Sequence, residues 1–249
     1  MTTEKPVILL VHGGWHTTAA YRAFLDLLET KGYTTVAPEL PSGADQTPAE
    51  PTKADIRLIA ETAQSLVDGG KEVVVVAHSY GGTVANEALS GLGIRQRQAK
   101  QLPGGVRSVV FVAAFVFEAG KNFESMAPIE VVPWCEYEGD LKIITPGFDA
   151  GPIFYPDLSK EDQQKWVASH RKHPKECSFY APKRTSYHEV DVAYVYCEQD
   201  NAFPIVAQRA MVDEIKKSGV TFREVTLDSG HFPTLSMPDV LAEKVLEFI

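Results

Sequence analysis

Residues 73–82 read Val-Val-Val-Val-Ala-His-Ser-Tyr-Gly-Gly. The β-branched run 73–76 predicts a strand that is buried on both faces. Small residues around Ser79 follow it, and residues 83–89 then have helical character. A strand that turns sharply into a helix at a serine between small residues is typical of the nucleophile elbow, usually Gly-x-Ser-x-Gly, although Ala77 stands here at the first glycine. Ser79 is therefore the candidate nucleophile.

The rest of the chain alternates predicted strands with predicted helices. The strands are expected over residues 7–11, 34–37, 73–76, 108–113, 190–197 and 221–227. The helices are expected over residues 19–31, 52–68, 83–89, 205–217 and 238–249. Such alternation predicts an α/β fold with a mostly parallel sheet of about six strands that is covered on both faces.

Residues 118–187 interrupt this alternation. They are rich in aromatic residues and proline, and they contain one convincing helical pattern, over 160–172. Long structureless loops are rare in compact domains, so this insertion between two core strands is interpreted as a cap. The predicted organisation is a core of residues 1–117 and 188–249 with a cap of residues 118–187.

The elbow needs an acid and a histidine later in the chain, in that order. Asp200 follows the strand predicted to end at residue 197, and His231 lies 31 residues further on, in the loop before the last helix. Parallel strands place both loops at the same edge of the sheet, so His231 is the expected base and Asp200 its orienting acid. Glu198 is a rival to Asp200 and is expected on the same side of the strand end. Asp200 could alternatively cap the following helix.

A further element is His12-Gly13-Gly14-Trp15, directly after the first strand. Acyl transfer passes through an oxyanion that needs N–H donors placed in advance. The backbone N–H groups of Gly14 and Tyr80 are the predicted pair. The alternative is a merely flexible Gly-Gly turn. His12 and His78 are interpreted as structural hydrogen-bonding residues.

Composition excludes several classes of function. The chain has 249 residues and a net charge of −9, which argues against nucleic acid or an anionic membrane as a partner. No apolar run is long enough to cross a membrane, and no signal peptide is visible. Three widely spaced cysteines suit free thiols in a reducing, cytoplasmic setting. No cluster has metal-ligand spacing, so we expect neither a metal nor another cofactor.

Together these motifs make the whole chain resemble the α/β-hydrolase superfamily. Within it, the chain resembles the small-molecule esterase branch, which includes plant methylesterases and hydroxynitrile lyases. The similar features are the segments 12–16 and 77–82, the pair Ala114-Phe115 and the triad candidates. The resemblance also implies a homodimer. Two departures disfavour cyanohydrin cleavage: Phe232 stands where the lyases have a lysine after the catalytic histidine, and Gly13 where they have a threonine. No positive charge is therefore expected for a leaving cyanide.

The resulting hypothesis is a cofactor-independent serine hydrolase that cleaves a carboxylic ester or lactone of a small, fairly apolar molecule. The pocket is expected between sheet and cap, with aromatic or histidine side chains as candidate lining residues. These are Trp15, His16, Phe115, Trp134, Trp166 and Phe232. One alternative uses the same triad for carbon–carbon cleavage, elimination or cyclisation. Another is a ligand-binding protein on this fold.

Overall fold

The computed structural model describes residues 4–126 and 132–249 of the chain. Its main sheet has six strands, all parallel, in the order β2-β1-β3-β4-β7-β8. The six strands are β1 (Val7–Val11), β2 (Thr35–Val36), β3 (Glu72–His78), β4 (Gly105–Val112), β7 (Asp191–Cys197) and β8 (Phe222–Leu227). A separate antiparallel hairpin consists of β5 (Cys135–Glu138) and β6 (Leu141–Ile144). The predicted α/β fold with a parallel sheet of about six strands is confirmed.

Helices cover both faces of the main sheet. The helices of the core are α1 (Arg22–Thr30), α2 (Pro51–Asp68), α3 (Gly81–Ala88), α4 (Ile94–Ala99), α9 (Ile205–Lys216), α10 (Pro233–Ser236) and α11 (Pro238–Glu247). Alternate side chains of β3 point to opposite faces, as the pleat requires. Val73 and Val75 join a cluster that includes Ile59 of α2, while Val74 and Val76 join a cluster that includes Leu241 of α11. This double burial explains why the strand reads as an unbroken valine run.

Among the described residues between β4 and β7 lie the hairpin and four short helices, α5 (Phe123–Met126), α6 (Ala150–Phe154), α7 (Lys160–Ala168) and α8 (Glu176–Phe179). The helix expected over 160–172 ends four residues earlier than predicted, at Ala168. Residues 127–131 of this segment, including Pro128, lie outside the described residues. The cap boundaries at 118 and 187 stay a prediction.

The sheet order reverses between β1 and β3, and this reversal positions the candidate site. The chain runs from β1 to β2 on one side and then to β3 on the other. Val11 is paired with Ala77, and His78 with Val112, so these strands end at nearly the same level. Loops that leave the carboxyl ends of strands at such a switch point form a crevice. In the described part of the chain, no helix is both long and apolar enough to cross a membrane.

Candidate active site

Ser79 stands on a sharp turn between β3 and α3. Its φ angle is +52°, a conformation that costs a non-glycine residue of order 1–3 kcal/mol. Two close approaches explain the small residues after it: a Cβ on Gly81 would lie 2.3 Å from the carbonyl oxygen of Val11, and one on Gly82 would lie 2.5 Å from that of Phe115. The elbow therefore requires glycine at both positions.

Ser79, His231 and Asp200 form a continuous chain of hydrogen bonds. Nε2 of His231 lies 2.9 Å from Oγ of Ser79, and Nδ1 of His231 lies 2.6 Å from Oδ2 of Asp200. The His231 and Asp200 side chains are 3% and 0% exposed, so water cannot compete for their hydrogen bond. The three residues come from the loops after β3, β7 and β8, and sheet topology has joined them across 152 residues of sequence.

Asp200 is held in place by donors other than the histidine. Its Oδ1 accepts the backbone N–H groups of Ala202 at 2.9 Å and Phe203 at 2.8 Å. Its Oδ2 also accepts Nε2 of Gln208 at 3.2 Å. These bonds orient the carboxylate toward His231.

The two open questions about this acid are resolved by where β7 ends. The strand stops at Cys197, so residues 198 and 200 lie in a turn, and the expectation that they share a side is wrong. Glu198 is exposed, whereas Asp200 is buried. Helix α9 begins at Ile205, with Pro204 before it, so Asp200 is not its cap.

His78 links the glycine loop to the backbone of His231. The N–H of Gly13 donates to the Tyr21 hydroxyl at 2.8 Å, and that oxygen lies 2.7 Å from Nδ1 of His78. On the other side of the ring, Nε2 of His78 lies 2.8 Å from the carbonyl oxygen of His231, which can only accept. Burial lowers the pKa of His78 well below its ordinary value, so the ring is neutral and plays a structural part.

Gly14 and Tyr80, the residues predicted to supply the oxyanion donors, both line the cavity at Ser79. Among the described residues, no hydrogen bond engages the N–H of Gly14 or of Tyr80. Gly14 packs directly under His173, where a Cβ would lie 2.7 Å from Cε1 of that ring. The Tyr80 hydroxyl donates to Oδ2 of Asp55 at 2.8 Å, and burial raises the pKa of that carboxyl to about 6.

A narrow cavity opens onto Ser79 between the core and the 118–187 segment. What we call the core wall consists of Gly14, Trp15, Ser79, Tyr80, Thr83, Phe115, Ala202 and His231. What we call the cap wall consists of Phe123, Trp134, Lys142, Phe154, His173, Cys177 and Ser178. The cavity volume is about 30 Å³, room for about two water molecules. A larger hollow of about 590 Å³ lies at the opposite, amino ends of β4, β7 and β8.

Three of the six aromatic or histidine candidates line this cavity, namely Trp15, Phe115 and Trp134. The other three were placed in the pocket wrongly. Phe232 is buried against the rings of His78 and His16, and His16 bonds to the Tyr155 hydroxyl. Trp166 lies on α7, packed against the core cluster beneath it. Each fills a gap between elements, and a local sequence pattern does not distinguish such packing from pocket lining.

The polar residues that line the cavity and that the sequence analysis missed include Lys142 and His173. The expectation that no positive charge is offered to a leaving cyanide considered only the position after the catalytic histidine, whereas Lys142 lines the cavity from β6. The sequence does contain a signal for the hairpin that carries Lys142. Gly139-Asp140 is a typical two-residue hairpin turn, and the short segments on either side of it form β5 and β6. Burial lowers the pKa of His173 to about 3, so this ring is neutral at physiological pH.

The sequence model of the alpha/beta hydrolase family matches residues 8–244, and the chain belongs to that family. It is 31% identical over 249 residues to the protein named probable hydrolase R7 from a Phoma species, covering 98% of each chain. The fold is shared with a pyrethroid hydrolase from Sphingobium faniae (TM-score 0.77, 20% identity, 98% and 96% of the chains covered). It is also shared with a methylesterase from Arabidopsis (TM-score 0.76, 19% identity, 98% of each chain covered). These relatives support an enzyme of the hydrolase kind.

Proposed function

We propose that this protein is a serine hydrolase that cleaves a carboxylic ester or lactone of a small, fairly apolar molecule. The observation that carries the proposal is the buried hydrogen-bond chain from Ser79 through His231 to Asp200, which ends in a cavity with mainly aromatic walls. Further support comes from the similarity to proteins named pyrethroid hydrolase and methylesterase.

In the proposed mechanism, Oγ of Ser79 attacks the acyl carbonyl while its proton passes to Nε2 of His231. Asp200 accepts the hydrogen bond from Nδ1 and stabilises the imidazolium. The N–H groups of Gly14 and Tyr80 hold the oxyanion. The ester C–O bond then breaks as His231 protonates the leaving alkoxide. A water molecule, deprotonated by the same histidine, then attacks the acyl carbon of the acyl-enzyme. The bond to Oγ of Ser79 breaks, the acid is released, and His231 returns the proton to Ser79. Only side chains, backbone N–H groups and water take part.

The test combines hydrolysis of short-chain p-nitrophenyl esters with covalent labelling by a fluorophosphonate probe. We expect Ser79→Ala to lower kcat/KM by at least about 10⁴-fold and to abolish labelling. The control is Ser169→Ala, which should retain both activities because this serine is exposed and does not line the cavity.

The outcomes separate the competing functions. Labelling and turnover that vanish together in the variant support the ester hydrolase. Labelling of the wild type without turnover of any ester would keep the activated serine but favour a lyase, a cyclase or carbon–carbon cleavage. If folded wild-type protein shows neither, Ser79 is not an activated nucleophile and a ligand-binding role replaces the proposal.

A further inference from the structure

Two hydrogen bonds of its backbone hold Lys142 at the cavity. Its N–H donates to the carbonyl oxygen of His173 at 2.8 Å, and its carbonyl oxygen accepts Nε1 of Trp15 at 3.2 Å. The residue thus connects β6 with both walls of the cavity. Only 5% of its surface is exposed, which is rare for a lysine.

The ammonium group is surrounded by aromatic rings. Nζ lies 3.9 Å from the ring centroid of Phe123, 5.7 Å from that of Trp15 and 6.0 Å from that of Trp134. All three rings line the cavity, and Lys142 lines it as well. Aromatic faces attract a cation, but they compensate only part of its lost hydration.

No carboxylate in residues 4–126 and 132–249 lies within ion-pair distance of this ammonium group. Glu124 attracts it from further away, while accepting the Tyr137 hydroxyl at 2.7 Å. The Cys135 thiol also interacts with the ammonium group, but a thiol is only a weak hydrogen-bond partner. Burial lowers the pKa of Lys142. Buried charges in proteins are normally paired. A cation that faces a cavity can obtain its partner from a ligand.

We propose that Lys142 determines the specificity of the pocket by binding a free carboxylate of the substrate, separate from the ester that Ser79 attacks. This inference rests on the proposed function and narrows its substrate class. The aromatic rings around Nζ would contact the apolar body of the substrate. The substrates are then small esters or lactones whose apolar body also bears a carboxylate. An acidic chain of net charge −9 would otherwise repel such anions, so a local cation is needed.

The first experiment compares two esters with the same acyl length, p-nitrophenyl hexanoate and mono-p-nitrophenyl adipate. Adipate is chosen because shorter diacid monoesters readily close to cyclic anhydrides. We expect Lys142→Met to lower kcat/KM for the adipate ester by about 10- to 100-fold and to change that for the hexanoate ester by less than about threefold. Lys142→Arg should retain part of the preference for the charged ester.

The matched control is Lys165→Met. Lys165 also lies over an aromatic ring, with Nζ 5.2 Å from the centroid of Trp166, but it is exposed and outside the cavity. This variant should keep the wild-type ratio of the two kcat/KM values. The ratio compares two substrates on one protein sample, so partial misfolding does not alter it. A ratio in Lys142→Met that equals the wild-type ratio would overturn the proposal.

A second experiment does not depend on turnover. Trp15 and Trp134 line the cavity, so intrinsic fluorescence can report binding of hexanoate or hexanamide to Ser79→Ala. We expect hexanoate to bind at least about tenfold more tightly than hexanamide, and to lose this advantage in Ser79→Ala/Lys142→Met. If no ester is turned over but this dependence on Lys142 is found, the proposed function fails and the carboxylate site stands. Equal binding of acid and amide to Ser79→Ala would refute the site.

Discussion

On the core wall, Ser79 and His231 follow the carboxyl ends of two parallel strands of one sheet, β3 and β8, whereas on the cap wall Lys142 and His173 lie on a two-stranded hairpin and a loop. The core residues are constrained by the backbone. The elbow serine has a φ of +52°, and a Cβ added to Gly81 would lie 2.3 Å from the carbonyl oxygen of Val11 in β1. The cap residues are joined by hydrogen bonds between segments distant in sequence, such as that from the N–H of Lys142 to the carbonyl oxygen of His173.

This difference indicates a division of labour. The core wall, together with Asp200 behind it, contains every group to which we assign a chemical step, and its geometry follows from strand ends that the whole family of folds shares. The cap wall contains the groups that would contact the rest of the substrate. Substitutions in the core wall should therefore change kcat, while substitutions in the cap wall should change KM and the choice of substrate.

The largest effect is expected at Asp200, the acid that lies behind the core wall and bonds to His231. Asp200→Asn should lower kcat by about 10⁴-fold, because an amide favours the wrong tautomer of His231. Glu198→Gln, two residues away, should leave kcat unchanged, since Glu198 is exposed and outside the hydrogen-bond chain. Steady-state kinetics on a p-nitrophenyl ester measures both. A loss of kcat of similar size in Glu198→Gln would contradict the assignment of Asp200 as the acid of the triad.

An intermediate effect is expected where the two walls touch, at Gly14. Its added Cβ in Gly14→Ala would lie 2.7 Å from the His173 ring, so either the donor loop or the ring must move. We expect kcat to fall by about 10²-fold, as for loss of one oxyanion donor. Gly43→Ala is the control, because its Cβ would make only an ordinary contact, 3.8 Å from Cβ of Arg171. Unchanged kcat in Gly14→Ala would show that the cap wall yields and that the core wall tolerates the methyl group.

The smallest effect is expected on the cap wall itself. Trp134→Ala should raise KM for a neutral ester about tenfold with little change in kcat, because it removes an apolar contact made equally in ground and transition states. Trp166→Ala is the paired substitution in the same segment, outside the cavity, and should leave KM unchanged. Thermal unfolding of both variants tests whether they are folded. If the two substitutions changed KM to the same extent, the distinction between aromatic residues that line the cavity and those that only pack against the core would be wrong.

Local sequence determined the parts of this protein that depend on backbone geometry. The valine run of β3 predicts burial on both faces, and Gly81 and Gly82 permit the turn that presents Ser79. The order of serine, acid and histidine along the chain was also readable, because successive strand ends of a parallel sheet share one edge. The six-stranded α/β fold followed from the same alternation.

Only the tertiary structure decided which side chains face the cavity. Asp200 rather than Glu198 meets His231 because β7 ends at Cys197 and the chain turns there. Phe232 is directed into the core although it adjoins the histidine of the triad, and Lys142 reaches the cavity from a hairpin more than 60 residues from Ser79. Short elements have no long hydrophobic period, and their orientation depends on packing against segments distant in sequence. The candidate chemistry could thus be inferred from the sequence, while the candidate specificity required the fold.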